Sequence, residues 1–442
     1  MLFAIFLILN YDKVMKIKKI DLEELDKITS DLSKSAKKLI FEICDLYYTR
    51  LPGSENEKKA QEYIYEKFKN IKSDEVSIQK FKIYPKFFLY WPRLSFLLFI
   101  FGLLFYLLIP LISFILIFLS VLNIILKTFS FTGFDIFFPK KESMNVIAKL
   151  KPKTQINGKS KRILIIGGHM DSTYEFPIAS KLGTNGFNLL IPLGIWLLVI
   201  LLGFLINAIV SILNSHMIRN IYEIVNIFSK PDWIYIIALV GTPYLGWLAI
   251  NFIHNEPVAG ANDNLSGISV IFEVFKYFSE NKEVLTNLEL WAVSFGSEEA
   301  GMIGSKTLAK EIKKKLQNNN FDSKEVWVIN FDSVGSNGEL HIATKEPLYR
   351  CKYLPNVYEE LEKIAKKYDI KYVVKSLAAG TDSAPFGRLK IPATGIICFG
   401  DKKAPPNWHS LKDIPENIDE RGLKNSVKLL VPFIIEVDES LN

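Results

Sequence analysis

Three stretches of this chain carry no charge: residues 94–126, 187–213 and 233–253, which are 33, 27 and 21 residues long. The hydrocarbon core of a bilayer is about 30 Å thick and one helical crossing takes about 20 residues. Each run is therefore long enough to span. A soluble helix seldom stays uncharged for that length, because one of its faces must meet water. Residues 214–232 between the second and third runs are polar and hold Arg219 and Lys230, so those two runs read as two spans joined by a loop. Trp233 and Trp247 lie near the ends of the third run, as interfacial anchors do. The first run has Pro110 at its midpoint. Divided there, it gives two helices of about 16 residues, roughly 24 Å each, against a core of about 30 Å. A short hairpin is the preferred reading and one long tilted helix the alternative.

The remaining chain is large enough for a globular enzyme. A hydrophobic share of 49%, an aromatic share of 13% and a mean hydropathy of +0.18 fit membrane spans beside such a part. The net charge of +7 is spread over alternating Lys and Glu, which indicates solvated faces beside anionic lipid and no nucleic-acid surface. Cys44, Cys351 and Cys398 are odd in number and far apart, so they form neither a disulfide framework nor a CxxC metal knuckle and are expected as buried thiols. Residues 1–10 are apolar but too short to span, and a lysine-rich stretch follows in place of a cleavage site; Met15 is an alternative start.

Outside the apolar runs an α/β rhythm is legible. Helices are expected over 22–48 and from Ser54, whose pairing with Glu57 makes a capping box, to about residue 69. Strands at 76–83 and 145–150 would form an antiparallel edge. Beyond residue 254 come a helix at 265–281, a strand at 288–295, a helix after Gly301, a strand at 326–331, a helix at 356–368, a strand at 393–399 and a last helix from about 417. Such alternation implies a mainly parallel sheet flanked by helices. The organisation is thus a catalytic domain in three pieces, residues 15–90, 128–186 and 254–442, interrupted by an apolar insert at 91–127 and a two-span insert at 187–253.

Five segments carry chemistry. Residues 162–168 (RILIIGG) are an apolar strand delivering His169 and Asp171, which face the same way if the strand continues. A metal-bound imidazole usually donates its other ring proton to a carboxylate, the role expected of Asp171. Residues 260–267 (GANDNLSG) put Asp263 in a turn before a helix, where its two oxygens could reach two cations; read alone, the turn is simply a helix cap. Residues 295–305 (FGSEEAGMIGS) place Glu298 and Glu299 at a strand exit. Residues 326–336 (VWVINFDSVGS) place Asp332 at another, and residues 405–413 (PPNWHSLKD) place His409 in a loop. Ligands of open α/β sheets gather at the carboxyl ends of strands, and two imidazoles with three carboxylates form the mixed donor set that suits zinc.

In order and wording these motifs resemble the aminopeptidase Y-like family of co-catalytic zinc exopeptidases, over residues 50–53 and 144–413 without the inserts. The resemblance implies a zinc-exopeptidase (phosphorylase/hydrolase-like) three-layer sandwich interrupted by transmembrane helical inserts. It implies two zinc ions per chain, with Asp263 bridging them, His169 and Asp332 completing one site, Glu299 and His409 the other, and Glu298 as general base. A cis peptide at 263–264 is also implied. Two departures stand out: Trp408 occupies the place of a Tyr that helps polarise the carbonyl in some relatives, and in residues 380–386 (GTDSAPF) Ser383 follows Asp382 where an aromatic or His is often found. Asp382 and Asp413 are either supports of the metal ligands or loop and helix caps.

His169 and Asp263 must meet although 93 residues separate them, so that insert crosses an even number of times and the catalytic part lies on one membrane face. Lys86, Arg93, Lys127, Lys140, Lys141 and Lys181 flank the spans on that side, against Arg219 and Lys230 opposite, and this excess favours a cytoplasmic catalytic domain in a multi-pass cell-membrane protein. The expected partners are peptide substrates and the lipid bilayer. The alternatives are a single-zinc glutaminyl cyclase and an inactive peptidase-like receptor or scaffold.

Overall fold

The computed structural model describes residues 21–128, 133–154, 161–214, 232–318, 325–400 and 404–441. The expectations for residues 1–10, Met15, Arg219 and Lys230 lie outside them. The chain divides into two compact units, residues 1–83 with 141–173 and 257–442, and residues 84–140 with 174–256.

The first unit is built on a nine-stranded sheet. Its strands are β1 (Glu75–Ile83), β2 (Lys141–Leu150), β3 (Arg162–His169), β4 (Leu288–Phe295), β5 (Val326–Asp332), β6 (Glu339–Glu346), β7 (Cys351–Lys352), β8 (Tyr372–Ser376) and β9 (Ala393–Phe399). They lie in the order β1-β2-β4-β3-β5-β9-β6-β7, with β8 beside β6. The central β4, β3, β5 and β9 run parallel. On one flank β1 pairs antiparallel with β2 at the edge, as expected, and β2 pairs antiparallel with β4. On the other flank β6 runs antiparallel to β9 and β7.

Side chains alternate across this sheet. Leu164, Ile166, Ile329, Phe331, Ile396 and Cys398 enter one core. Ile163, Ile165, Val326, Val328, Ala393 and Ile397 enter the other. The first core is covered by α1 (Leu22–Leu46), α2 (Glu55–Asn70), α3 (Gly267–Glu280), α5 (Pro355–Lys367) and α6 (Glu420–Glu439), and the second by α4 (Ile303–Gln317). The result is a three-layer sandwich. Gly267 sets how closely α3 meets the sheet, since a Cβ there would stand 2.2 Å from the Phe331 carbonyl oxygen. All three cysteines are buried and free.

Among the described residues, the second unit holds four helices long and apolar enough to cross a membrane, with their apolar windows at Leu89–Tyr106, Pro110–Thr128, Leu190–Leu213 and Trp233–Asn251. The first apolar run is thus two helices. Pro110 opens the second of them and does not sit in the tip, and the first helix starts back at Pro85. That earlier start gives 22 residues, about 33 Å, and relieves the tight fit. Arg93 falls within it and donates to the Leu89 and Ile253 carbonyls. Small polar residues join the first two helices. Ser113 Oγ donates to the Gly102 carbonyl at 2.6 Å, Ser120 Oγ to that of Ser95 at 2.7 Å, and Asn123 Nδ2 to Ser95 Oγ at 2.8 Å. Outward faces are apolar, with Leu97, Phe101, Ile115, Phe118, Ile195, Leu198, Trp233 and Trp247 exposed.

Candidate metal centre

Four parallel strands end at one edge of the sheet, and each delivers a candidate ligand or the loop that carries one. β3 ends on His169 and β5 on Asp332. The chain leaving β4 reaches Glu298 and Glu299 within four residues, and the chain leaving β9 leads to His409.

Asp263 stands between the two histidines. Its Oδ1 lies 3.1 Å from His169 Nε2 and its Oδ2 lies 3.1 Å from His409 Nε2. Asp332 Oδ2 is 3.8 Å from His169 Nε2, and Glu299 Oε1 is 3.1 Å from His409 Nε2. Two groups capable of holding an ion result, His169–Asp263–Asp332 and Asp263–Glu299–His409, and all five residues are buried. A third group, Glu175–His254–Glu256 in the second unit, is open to solvent.

Local backbone explains how Asp263 is freed for this position. The turn 260–267 is pinned through its amides: Asn264 Oδ1 accepts from the Gly267 and Ser333 N–H groups, and Asn262 Oδ1 from that of Gly335. The Asp263–Asn264 peptide is cis and Gly260 has φ +64°. Asp413 underpins the turn, its carboxylate accepting the Asn262 N–H at 2.6 Å and the Asp263 N–H at 3.1 Å. Ser297, Ser333 and His409 are left-handed, with φ of 54°, 50° and 50°. Such positions each cost about 1–3 kcal/mol and cluster where neighbouring structure over-determines them; here each is a site residue or adjoins one.

Asp171 differs from expectation. β3 stops at His169, so strand alternation does not carry the Asp171 carboxylate to the imidazole. His169 Nδ1 faces the Asp171 backbone carbonyl at 3.1 Å, while the carboxylate is 3.6 Å away. That carboxylate instead accepts the Glu298 and Glu299 N–H groups at 3.0 and 2.9 Å. Asp382 is wholly buried, with burial as the main cause pushing its pKa up to about 7. Trp408 lies against His409, ring centroids 4.3 Å apart.

Two buried residues were not singled out as site residues from sequence. Arg50 donates to the Met170 and Gly260 carbonyls at 2.8 and 3.0 Å, tying the His169 strand exit to the Asp263 turn. Glu57, read as half of a capping box, also contacts the loop that carries Glu298. Neither has a local sequence signal, because the partners lie 120–240 residues away.

The electrostatics point to cations. Burial, then repulsion from Glu299 and other acids, holds the Glu298 carboxyl well above its ordinary range. Burial and the Asp263 charge do the same to Asp332. Burial alone would lower the histidines, yet the neighbouring Asp171 and Asp263 carboxylates hold His169 well above its usual value, and Glu299 with Asp263 brings His409 up to about 10. Asp263 goes the other way: against the effect of burial, its hydrogen bonds to His169 and His409 hold it below its ordinary range. A divalent ion would compete with the protons on the imidazoles and carboxyls, and the donor set fits zinc.

Residues 245–434 match the model of Peptidase family M28. Aminopeptidase YwaD of Bacillus subtilis (strain 168) is 27% identical over 184 residues, 40% of this chain and 37% of that relative's length. Among solved structures, the zinc aminopeptidase BSAP from Bacillus subtilis superposes with TM-score 0.54 at 14% identity, covering 92% of this chain and 95% of that one. A glutaminyl cyclase from Bacteroides thetaiotaomicron superposes with TM-score 0.52 at 15% identity, covering 91% and 97%. The fold expected from sequence is therefore the one found.

Proposed function

We propose that this chain, whose residues 245–434 match the model of Peptidase family M28, is a membrane-bound zinc aminopeptidase. The observation that supports this most is the single carboxylate, Asp263, shared between two groups of ligands. In this reading His169 and Asp332 complete one site and Glu299 and His409 the other. Zinc held there would supply Lewis acidity for activating water and polarising a peptide carbonyl. Glu298 is the general base: it takes the proton of the attacking water and gives it to the leaving amine. Asp171 fixes the backbone on which Glu298 and Glu299 stand. The free N-terminal amine of a peptide pairs with carboxylate oxygens left over at the site, which confines cleavage to terminal residues.

The four apolar helices carry the membrane part of the reading. Both inserts leave and re-enter the catalytic unit, which supports an even number of crossings for each, and the excess of flanking lysines favours a cytoplasmic catalytic unit. The test is metal analysis with a panel of N-terminal substrates on the full chain in detergent. Two zinc ions and hydrolysis are expected in the wild type. Glu298→Gln should keep both ions and lose about 100- to 10,000-fold in kcat; undiminished turnover would exclude Glu298 as the base.

The packing of Trp408 on His409 favours a second reading, a single-zinc glutaminyl cyclase. One zinc per chain, with cyclisation of N-terminal Gln and no release of N-terminal Leu, would select it. Absence of all turnover with both zincs bound would leave a receptor or scaffold.

A further inference from the structure

Glu57 occupies the third position of α2, where a capping-box glutamate would serve its own helix. Ser54 does its half, its Oγ accepting the Glu57 N–H at 3.1 Å. The Glu57 carboxylate, fully buried, is divided. Oε2 accepts the Gly53 N–H at 2.6 Å. Oε1 is turned to the loop after β4 and accepts the Ser297 N–H at 2.7 Å, the Ser297 hydroxyl at 2.9 Å and the Ser143 hydroxyl at 3.0 Å. That approach needs a glycine at 296, since a Cβ there would lie 2.4 Å from the Met144 carbonyl oxygen and 3.2 Å from Glu57 Oε1.

The loop therefore has three consecutive backbone N–H groups that each end on a buried carboxylate. Ser297 donates to Glu57, and Glu298 and Glu299 donate to Asp171. Ser297 is the left-handed residue of the three, φ 54°, and the directions of the next two side chains follow from its dihedrals. We propose that Glu57 is a positioning residue: by holding Ser297 left-handed it aims Glu298. This inference rests on the reading of Glu298 as the base. Without Glu57 the Ser297 N–H and hydroxyl lose their buried acceptor, and the turn relaxes at the residue beside Glu298. The Glu298 and Glu299 N–H groups keep the Asp171 carboxylate, so the metal sites persist and the change is confined to the dihedrals of Ser297 that set the Glu298 direction.

The full chain in detergent tests this in two ways. Glu57→Ala should lower kcat about 100-fold, the scale of a misplacement of roughly 1 Å, with KM and zinc content unchanged. Glu57→Gln keeps an acceptor for Ser297 and should recover most of kcat. Independently of activity, amide hydrogen exchange over residues 296–304 should speed up in Glu57→Ala and return towards wild type in Glu57→Gln, with β3 and β5 unaffected. Should Glu57→Ala not fold, Ser297→Ala, which removes only the hydroxyl donor, should give a smaller loss of kcat and faster exchange in the same segment. Unchanged exchange over 296–304, or a loss of kcat that comes with lost zinc or raised KM, would overturn the inference. A wild type that hydrolyses no peptide would refute the proposed function alone, because the exchange experiment still decides whether Glu57 holds the loop.

Discussion

Replacing Asp171 by Asn tests which of its two contacts matters. The buried carboxylate accepts two backbone N–H groups, from Glu298 at 3.0 Å and Glu299 at 2.9 Å. Hydrogen bonds to a charged group contribute about 1.5–3 kcal/mol each, and a buried donor left without an acceptor costs about 1–3 kcal/mol. Asparagine retains one oxygen, so one amide keeps a weaker, uncharged bond. Its NH2 group meets the other amide donor to donor, and the loop loses about 2–4 kcal/mol. The contact from His169 Nδ1 to the residue-171 backbone carbonyl survives, because the substitution leaves the main chain alone. Support of this kind around metal ligands is worth about 10- to 100-fold in affinity or activity, and kcat/KM on a peptide substrate should fall by that much. Zinc competition against a chelator locates the loss. If kcat/KM stays within about twofold of wild type, the two amides do not depend on the carboxylate. If zinc affinity falls while kcat is unchanged, Asp171 acts through His169, as the sequence alone implied.

Zinc stoichiometry should follow the sharing of Asp263: Asp332→Asn and Glu299→Gln each lose one ion of two, while Asp263→Asn loses both, read by metal analysis after gel filtration. Glu346 gives a pH prediction away from the ligands. It accepts from the Thr381 N–H and hydroxyl and from Tyr353, and burial pushes its pKa from 4.5 up to about 7. The unfolded chain releases this proton near pH 4.5 and the folded one holds it until about 7, so stability falls as pH rises through that window, by about 3 kcal/mol. Glu346→Gln should flatten the decline of Tm across the same range, and an unchanged slope would remove Glu346 as its source. For topology, the catalytic unit should resist protease in sealed right-side-out cells and be cut in inverted vesicles; the reverse pattern would put it outside.

The legible parts of this protein are those whose physics is local. β3, β4, β5 and β9 are covered on both faces, so each reads as a short, nearly unbroken apolar run, and their ends mark where ligands can gather. The flanking β6, β7 and β8 escape notice for the opposite reason. β6 (ELHIATKE) is interrupted by polar residues, β7 has two residues, and β8 (YVVKS) is half-buried throughout. β6 adds to the edge of β9, and β7 and β8 in turn pair with β6. The same division runs through the centre itself. Its five candidate ligands could be singled out because each sits in a short motif, whereas the groups that aim them act over long sequence distances: Asp171 on residues 298 and 299, Asp413 on 262 and 263, Glu57 on 297. A pattern of spacings reports where a chain can place a side chain. Which carboxylate holds which backbone amide is settled by packing: the strand ends on His169, two residues before Asp171, and the Asp171 carboxylate takes up the Glu298 and Glu299 N–H groups.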